Sequence, residues 1–346
     1  CARWHSGADS MTYMMPPEWD KHERTWIAFP HDGYTLGETP DEQHAARKTW
    51  SNVANTASNF EKVTAIVHPK DLAVAKKFLS RQVEIFDLVI DDAWVRDSGP
   101  TFVRDEDGNL ACVNWVFNGW GAQSWASYEN DSKIAREVAS FLGAPRVDTD
   151  MVNEGGGIHV NGQGQVLLTE TVQLDPGRNP NWTKEQVEEE LSRTIGVSDF
   201  VWLKQGLTRD YDEFGTRGHV DIVACYLPDQ RVLFHHQKNQ NHPDFPVSEA
   251  VKKQLVHAEL APVALPAPTT LRDNEGFVDY SYVNHYVMND AVLLGSFEDQ
   301  NDKEAQAILR DCYPDREIVL IDARELFARG GGIHCITQQQ PEATIS

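Results

Sequence analysis

The stretch Gly155-Gly156-Gly157-Ile158-His159 occurs a second time, as Gly330-Gly331-Gly332-Ile333-His334. Three consecutive glycines followed by the same two residues rarely coincide by chance, so the two copies indicate an internal structural repeat. Glycine runs also let the backbone adopt positive φ and approach a ligand closely. Both copies are therefore candidates for part of a binding site.

Outside the two copies, short apolar segments alternate with amphipathic ones. The apolar segments predict strands at 63–68, 85–89, 111–117, 165–169, 200–203, 222–227, 231–235, 291–294 and 318–321. The amphipathic segments predict helices at 44–59, 72–79, 131–142, 183–194, 248–260 and 303–312. Thr183 and Gln186 have the spacing of a capping box. No linker interrupts the pattern, which predicts one mixed α/β domain.

The 346 residues carry a formal net charge of -22. A nucleic-acid-binding protein would present a basic face, so nucleic acid is not an expected partner. A negative field concentrates small cations, although an acidic surface that only keeps the protein soluble is the simpler explanation. No apolar run approaches the ~20 residues of a membrane helix, so no membrane partner is predicted.

The five cysteines are odd in number and widely spaced, and no Cys-x-x-Cys pair occurs. This pattern argues against a disulfide framework or a zinc site and favours a reducing compartment, which predicts a cytoplasmic location. Residues 1–13 are interpreted as a leader, a tag or a disordered N-terminus, 14–341 as the domain and 342–346 as a tail. A terminal cysteine would also fit a processed, lipid-anchored chain.

Four segments concentrate polar and aromatic residues where a structural strand would not need them: 91–100, 153–159, 218–221 and 330–341. His219 and Asp221 are two residues apart, so on a strand both would point to the same face. Cys335 directly follows the second glycine copy, whereas Cys112, Cys225 and Cys312 have the surroundings of small core residues. A cysteine with polar neighbours is a candidate nucleophile, provided that its pKa is lowered.

Together these segments predict a pocket for a planar cation. Its expected members are three carboxylates, an aromatic wall and a reactive pair: Asp97, Glu154, Asp221, Trp94, His219 and Cys335. A guanidinium group suits such a pocket because its donors match carboxylates in bidentate fashion.

The motifs Trp94-Val95-Arg96-Asp97-Ser98-Gly99-Pro100, Glu154-Gly155-Gly156, Gly218-His219-Val220-Asp221 and Gly332-Ile333-His334-Cys335 resemble those of agmatine deiminases. Bacterial peptidylarginine deiminases share a looser version. The similarity extends from about Met14 to Pro341. It implies the pentein fold, a five-bladed α/β propeller of ββαβ-type units, with the glycine repeat as two copies of one loop.

The resemblance also implies roles for individual residues. Cys335 would be the nucleophile, His219 the general acid and base, and Glu154 the group that orients His219. Asp97 and Asp221 would hold the guanidinium nitrogens. The further expected substrate-binding residues are Trp94, Gly332 and Arg217. The implied reaction converts agmatine to N-carbamoylputrescine and ammonia through a covalent thiouronium, without metal or cofactor.

Arg217 and Ile222 depart from the family pattern, which carries an acidic residue and an asparagine there. Arg217 could repel the amine of agmatine, or it could pair with Asp212 or Glu213. The first outcome would favour arginine or peptidyl-arginine as the substrate.

Other functions remain open at this stage. They are amidino transfer, a non-catalytic binding module, and a metal hydrolase built on His219, Asp221, His235 and His236. A homo-oligomer is also possible, by analogy with the family.

Overall fold

A computed structural model describes residues 12–344. Most of the expected leader, 1–13, and the last two residues of the expected tail, 342–346, lie outside this range. Met14 already forms backbone hydrogen bonds with Arg104, and Thr344 donates one to Gly108. The described part of the chain is therefore tied to the domain at both ends.

The described residues form five small sheets. Sheet 1 contains β1 (His22–Ala28), β2 (Val63–Val67), β3 (Glu84–Asp87) and β16 (Thr337–Pro341). Sheet 2 contains β4 (Thr101–Arg104), β5 (Leu110–Val116) and β6 (Arg146–Val152). Sheet 3 contains β7 (Ile158–Val160), β8 (Gln165–Thr169) and β9 (Asp199–Leu203). Sheet 4 contains β10 (Ala224–Tyr226), β11 (Val232–His236) and β12 (Pro262–Pro266). Sheet 5 contains β13 (Tyr286–Val287), β14 (Ala291–Ser296) and β15 (Glu317–Asp322).

Every sheet follows one plan, in which an antiparallel pair is extended by a parallel strand. A helix connects the two parallel strands, as such a crossover requires. The connecting helices are Pro40–Ala57, Ile134–Leu142, Lys184–Ile195, Phe245–His257 and Asp302–Cys312. In sheet 1 a further helix, Leu72–Phe78, leads to the fourth strand. The predicted five-bladed α/β propeller of ββαβ-type units is confirmed.

The propeller is closed by its two ends. β16, near the end of the chain, pairs antiparallel with β1, near its beginning. The first blade therefore combines strands from both ends of the domain, and neither end forms its whole sheet alone.

Short turns precede the first strand of each blade, and four of the five lie in or overlap the polar segments noted in the sequence. These turns are Val95–Ser98, Gly155–Gly157, Val220–Ile222 and His334–Ile336, together with residues 281–285 before β13. Because equivalent turns of a propeller meet near its axis, residues far apart in sequence come together there.

All nine predicted strands and all six predicted helices are present, with ends displaced by a few residues. The capping box of Thr183 and Gln186 is confirmed. Seven strands were missed, among them β16, whose Thr-Gln-Gln-Gln-Pro sequence has no apolar alternation. No helix within residues 12–344 is long and apolar enough to cross a membrane.

Candidate active site

His219 occupies the centre of the axial cluster and is only 1% exposed. Its Nδ1 lies 3.8 Å from Asp97 Oδ1 and its Nε2 lies 3.7 Å from Glu154 Oε2. Within residues 12–344 neither ring nitrogen has a hydrogen-bond partner, and Asp221 Oδ1 also lacks one. Buried polar atoms are normally paired, so these atoms are arranged to meet a ligand.

The charges around His219 are strongly coupled. Burial disfavours the imidazolium, but the carboxylates of Asp97, Glu154 and Asp221 outweigh it and raise the pKa of His219 to about 9. Burial, together with repulsion from Glu154 and Asp221, raises the pKa of Asp97 to about 6. At neutral pH the centre therefore holds an imidazolium among carboxylates.

Asp97 is positioned by two donors. The indole Nε1 of Trp120 donates to Asp97 Oδ2 at 2.8 Å, and the backbone N–H of Gly156 donates to Oδ1 at 3.1 Å. Both donors favour the ionised carboxylate. One oxygen therefore lies towards the tryptophan and the other towards His219.

Asp221 belongs to a second chain of charges. His334 Nδ1 lies 2.8 Å from Asp221 Oδ2, and His334 Nε2 lies 2.8 Å from Glu18 Oε2. Burial opposes charge on this histidine, yet Glu18 and Asp221 raise its pKa. With an acceptor at each ring nitrogen, His334 is an imidazolium, and it lowers the pKa of Asp221 against the effect of burial.

Cys335 lies next to these charged groups, and the residue is 5% exposed. Its Sγ lies 3.6 Å from Asp221 Oδ2 and 3.3 Å from Asn284 Nδ2. Burial and the nearby carboxylates of Asp221 and Asp97 raise the pKa of Cys335 well above its usual range. Without a ligand, the group is a thiol.

The middle glycine of each copy of the repeat lies against a reacting group. A Cβ on Gly156 would be 2.5 Å from His219 Nδ1 and 3.0 Å from oxygens of both Asp97 and Asp221. A Cβ on Gly331 would be 2.9 Å from Cys335 Sγ and from the ring of Trp94. The glycines are thus required for close approach, and the ring of Trp94 and the Cys335 sulfur both border Gly331.

Glu154 is balanced by a buried arginine. Arg178 Nε donates to both oxygens of Glu154, at 3.0 and 3.1 Å, and Arg178 Nη1 donates to Asp175 at 2.7 Å. Burial raises the pKa of Glu154, but Arg178 and His219 lower this pKa by more than burial raises it. Glu154 therefore remains ionised.

The two remaining predicted residues lie at the edge of the cluster. Arg217 Nη1 lies 3.5 Å from Asp175 Oδ2, so its partner is neither Asp212 nor Glu213. A Cβ on Gly332 would lie 2.4 Å from Asn284 Oδ1, so the space beside Gly332 is filled by this amide.

Several members of the site were missed in the sequence. Asn284 contacts Cys335, Glu18 contacts His334, and Arg178 contacts Glu154. Asp210 accepts hydrogen bonds from the backbone N–H groups of Thr216, Gly218 and His219. None lies within the four polar segments.

One expectation about local structure was wrong. His219 and Asp221 are not on a strand: His219 directly precedes the turn Val220–Ile222, which contains Asp221 and ends before β10. Asp210 holds the backbone that leads into this turn, because it accepts from the N–H groups of Gly218 and His219. Arg96 donates to the side-chain oxygens of Gln338 and Gln339 at 2.6 and 2.7 Å.

The residues expected in a metal hydrolase do not form one cluster. His235 contacts Ser281 at 3.2 Å, and His236 lies 4.0 Å from Glu249. Within residues 12–344, one group brings three metal-ligating atoms within 4.8 Å: His31, His68 and Asp71. Its atoms are already engaged, since Asp71 binds Arg47 and His31, and His68 Nδ1 accepts from the Lys70 N–H.

A propeller with a cysteine, a histidine and carboxylates on its axis defines a class of enzymes that act on guanidino groups. The family model of Porphyromonas-type peptidyl-arginine deiminases matches residues 14–341. The chain belongs to this family.

Known relatives extend over the whole domain. A curated protein of Streptomyces coelicolor, provisionally named agmatine deiminase, is 49% identical over 338 residues, covering 96% of this chain and 99% of its own. A Streptomyces avermitilis protein with the same name is 47% identical, covering 95% and 97%. The structure of the agmatine deiminase of Enterococcus faecalis superposes with a TM-score of 0.89 at 29% identity, covering 99% and 100%.

Proposed function

We propose that this protein is an agmatine deiminase that hydrolyses the guanidino group of agmatine to N-carbamoylputrescine and ammonia. The observation that carries the proposal is the set of unpaired buried atoms on His219 and Asp221, with the Cys335 sulfur 3.6 Å from the other oxygen of Asp221. A guanidinium supplies N–H donors for carboxylates and an electrophilic carbon for the sulfur. The names of the relatives support agmatine as the substrate.

Substrate binding prepares the nucleophile in this proposal. The carboxylates of Asp97 and Asp221 oppose a thiolate at Cys335. A guanidinium held by these carboxylates offsets their charge, so that the sulfur loses its proton when the substrate is in place. The enzyme therefore gains a thiolate only where its target is already positioned.

His219 carries the protons of the two chemical steps. The thiolate attacks the guanidinium carbon, the imidazolium of His219 protonates the leaving nitrogen, and the C–N bond breaks to release ammonia. Water then attacks the thiouronium carbon and His219 accepts one of its protons. The C–S bond breaks, and the remaining hydroxyl proton passes to the departing sulfur, which leaves the ureido product and returns the thiol. Glu154, 3.7 Å from Nε2, stabilises the imidazolium that the first step requires.

The surroundings of Arg217 are compatible with the amine of agmatine. Asp175 faces both Arg217 and Arg178, and Glu154 also faces Arg178. Two cations and two carboxylates leave this edge without net charge, so Arg217 is not an unopposed cation. The variant Arg217→Asp, assayed with agmatine and with arginine, tests whether Arg217 contributes to substrate selectivity. An unchanged preference between the two substrates would show that Arg217 does not contribute.

The deciding experiment is turnover of agmatine, free arginine and an arginine-terminated peptide, with assays for ureido product and ammonia. We expect agmatine to be the substrate and Cys335→Ser to abolish turnover. Cys225→Ser is the matched control, because Cys225 is equally buried but lies on β10. Activity of Cys335→Ser, or turnover of arginine alone, would overturn the proposal.

The cellular setting is proposed from the cysteines. Cys112, Cys225, Cys312 and Cys335 are free thiols. Free thiols persist in a reducing compartment, which supports a cytoplasmic location. A homo-oligomer stays a prediction, and the molecular mass in solution tests it.

A further inference from the structure

The fifth blade contributes a residue to the site that the sequence did not single out. Asn284 lies in the turn before β13, is 2% exposed, and places its side-chain amide against the reacting sulfur. Asn284 Nδ2 is 3.3 Å from Cys335 Sγ, within the range of a hydrogen bond to sulfur, and Asn284 Oδ1 lies farther from it, at 3.6 Å.

The orientation of this amide is determined by backbone groups. The N–H of His334 lies 3.0 Å from Asn284 Oδ1, and a backbone N–H can only donate. The carbonyl oxygen of Asp221 lies 3.3 Å from Asn284 Nδ2, and a carbonyl can only accept. The NH₂ group must therefore face Asp221 O and the sulfur, while the amide oxygen faces His334.

The amide is also held in place by its neighbours. Gly332 leaves room for it, since a Cβ there would lie 2.4 Å from Asn284 Oδ1. The same asparagine thus connects both residues that flank the sulfur in space, Asp221 and His334. Its donor is fixed before any substrate arrives.

A donor at this position opposes the effect of the carboxylates. Asp221 and Asp97 disfavour negative charge on the sulfur, whereas an N–H donor favours it. Hydrogen bonds to charged groups are stronger than those to neutral groups, so the contact gains strength as the thiol ionises.

We propose that Asn284 is a catalytic residue that donates a hydrogen bond to the Cys335 sulfur and stabilises the thiolate. This inference rests on the proposed function for its role in turnover, but the stabilisation of the thiolate is a property of the free protein.

Alkylation of Cys335 by iodoacetamide, followed by mass spectrometry of the Cys335 peptide over a range of pH, tests the proposal. Peptide analysis separates Cys335 from Cys1 and the other thiols. Asn284→Asp keeps the volume of the side chain, and with it access to the sulfur, while it removes the donor. Asn284→Ala removes the donor without adding charge.

We expect the pKa of Cys335 to rise by about 1 to 2 units in Asn284→Ala, and further in Asn284→Asp because a like charge is added. The smaller thiolate fraction is partly offset by the greater nucleophilicity of a more basic thiolate. The alkylation rate should therefore fall about 3- to 10-fold at each pH below that pKa in Asn284→Ala.

Asn161→Asp is the matched control. Asn161 is a buried asparagine that bonds Gln230 and the turn before β8, away from the sulfur. Its alkylation profile should equal that of the wild type. Rates for both Asn284 variants within twofold of the wild type, in folded protein, would overturn the proposal. If the wild type turns over no guanidine, the proposed function fails, and the alkylation series still decides the part of Asn284.

Discussion

Asp97 and His219 show how the site divides its charges at the scale of single residues. Each is buried, and each has a raised pKa, about 6 for Asp97 and about 9 for His219. In the proposed mechanism, guanidinium binding needs Asp97 ionised, and ammonia release needs His219 protonated. Because kcat/KM reports the free enzyme, it should fall below about pH 6 and above about pH 9.

Trp120 provides a test of the acid limb. Its indole N–H stabilises the Asp97 carboxylate, so Trp120→Phe should raise the pKa of Asp97 by about 1 unit. The acid limb of kcat/KM then moves to higher pH by the same amount, while the alkaline limb stays in place. The measurement is the pH profile of kcat/KM for agmatine.

Trp125→Phe is the control for this prediction. Trp125 stacks on Trp120 with ring centroids 5.3 Å apart, but its Nε1 donates to Gln123 instead of Asp97. An acid limb that moves equally in both variants would assign the effect to aromatic packing and contradict a hydrogen-bond origin.

At the scale of elements, the two glycine copies occupy different positions in their blades. Gly155–Gly157 is itself the turn before β7, whereas the glycines of the second copy precede the His334–Ile336 turn before β16. The expectation that the repeat is two copies of one loop was therefore wrong. In each copy, however, the middle glycine lies against a polar side chain of the cluster, His219 or Cys335.

Gly156→Ala should disable the enzyme while leaving the fold intact. The new methyl group would push His219 Nδ1 and the oxygens of Asp97 and Asp221 outward. Because displacements of about 1 Å in an active site cost about 100-fold in rate, we expect at least that loss in kcat/KM. Steady-state kinetics and circular dichroism measure the two effects.

Gly157→Ala is the neighbouring control. A Cβ there would meet Val172 at 3.1 Å and Gln173 at 3.3 Å, outside the catalytic groups. A comparable loss of activity in both variants would mean that the turn as a whole, and not the approach to His219, is sensitive.

At the scale of the whole molecule, Arg96 helps to close the propeller. Its guanidinium is 2% exposed and donates to the carbonyl oxygen of His334 and to the side chains of Gln338 and Gln339. It thus connects the turn of the second blade to the strand that completes the first. A polar strand is stabilised in the interior because its amides have a charged donor as partner.

Arg96→Lys should therefore destabilise the protein. A single ammonium cannot reproduce three donors in a fixed plane, so we expect a loss of about 2 to 4 kcal/mol in the free energy of unfolding. Urea denaturation measures it. Arg136→Lys, on the exposed helix Ile134–Leu142, is the control, with an expected change within about 0.5 kcal/mol. Equal losses of unfolding free energy in both variants would contradict the proposal that Arg96 helps to close the propeller.

The net charge of -22 also acts at this scale. A negative molecule attracts a cationic substrate, and salt screens the attraction over a Debye length of about 10 Å at 0.1 M. We expect kcat/KM for agmatine to fall as ionic strength rises, with kcat almost unchanged. NaCl and KCl should act equally. Independence from ionic strength would show that the charge serves only solubility.

Local patterns in the sequence predicted nine of the sixteen strands, six helices and the candidate reactive residues. Apolar runs such as 165–169 mark strands because their side chains must be buried, whatever surrounds them. Cys335, His219 and Asp97 were found because each lies in a short polar motif. The resemblance to a family supplied the five blades, which periodicity alone did not.

Tertiary structure alone decided which residues support these groups. Asn284 contacts Cys335 across 51 positions of sequence, and Glu18 contacts His334 across 316. β16 is a strand because Arg96 and β1 supply partners for its glutamines. Local patterns are short in range, whereas closure of the propeller brings turns from all five blades to one axis. Contacts made there depend on position in space and leave no periodic signal in the chain.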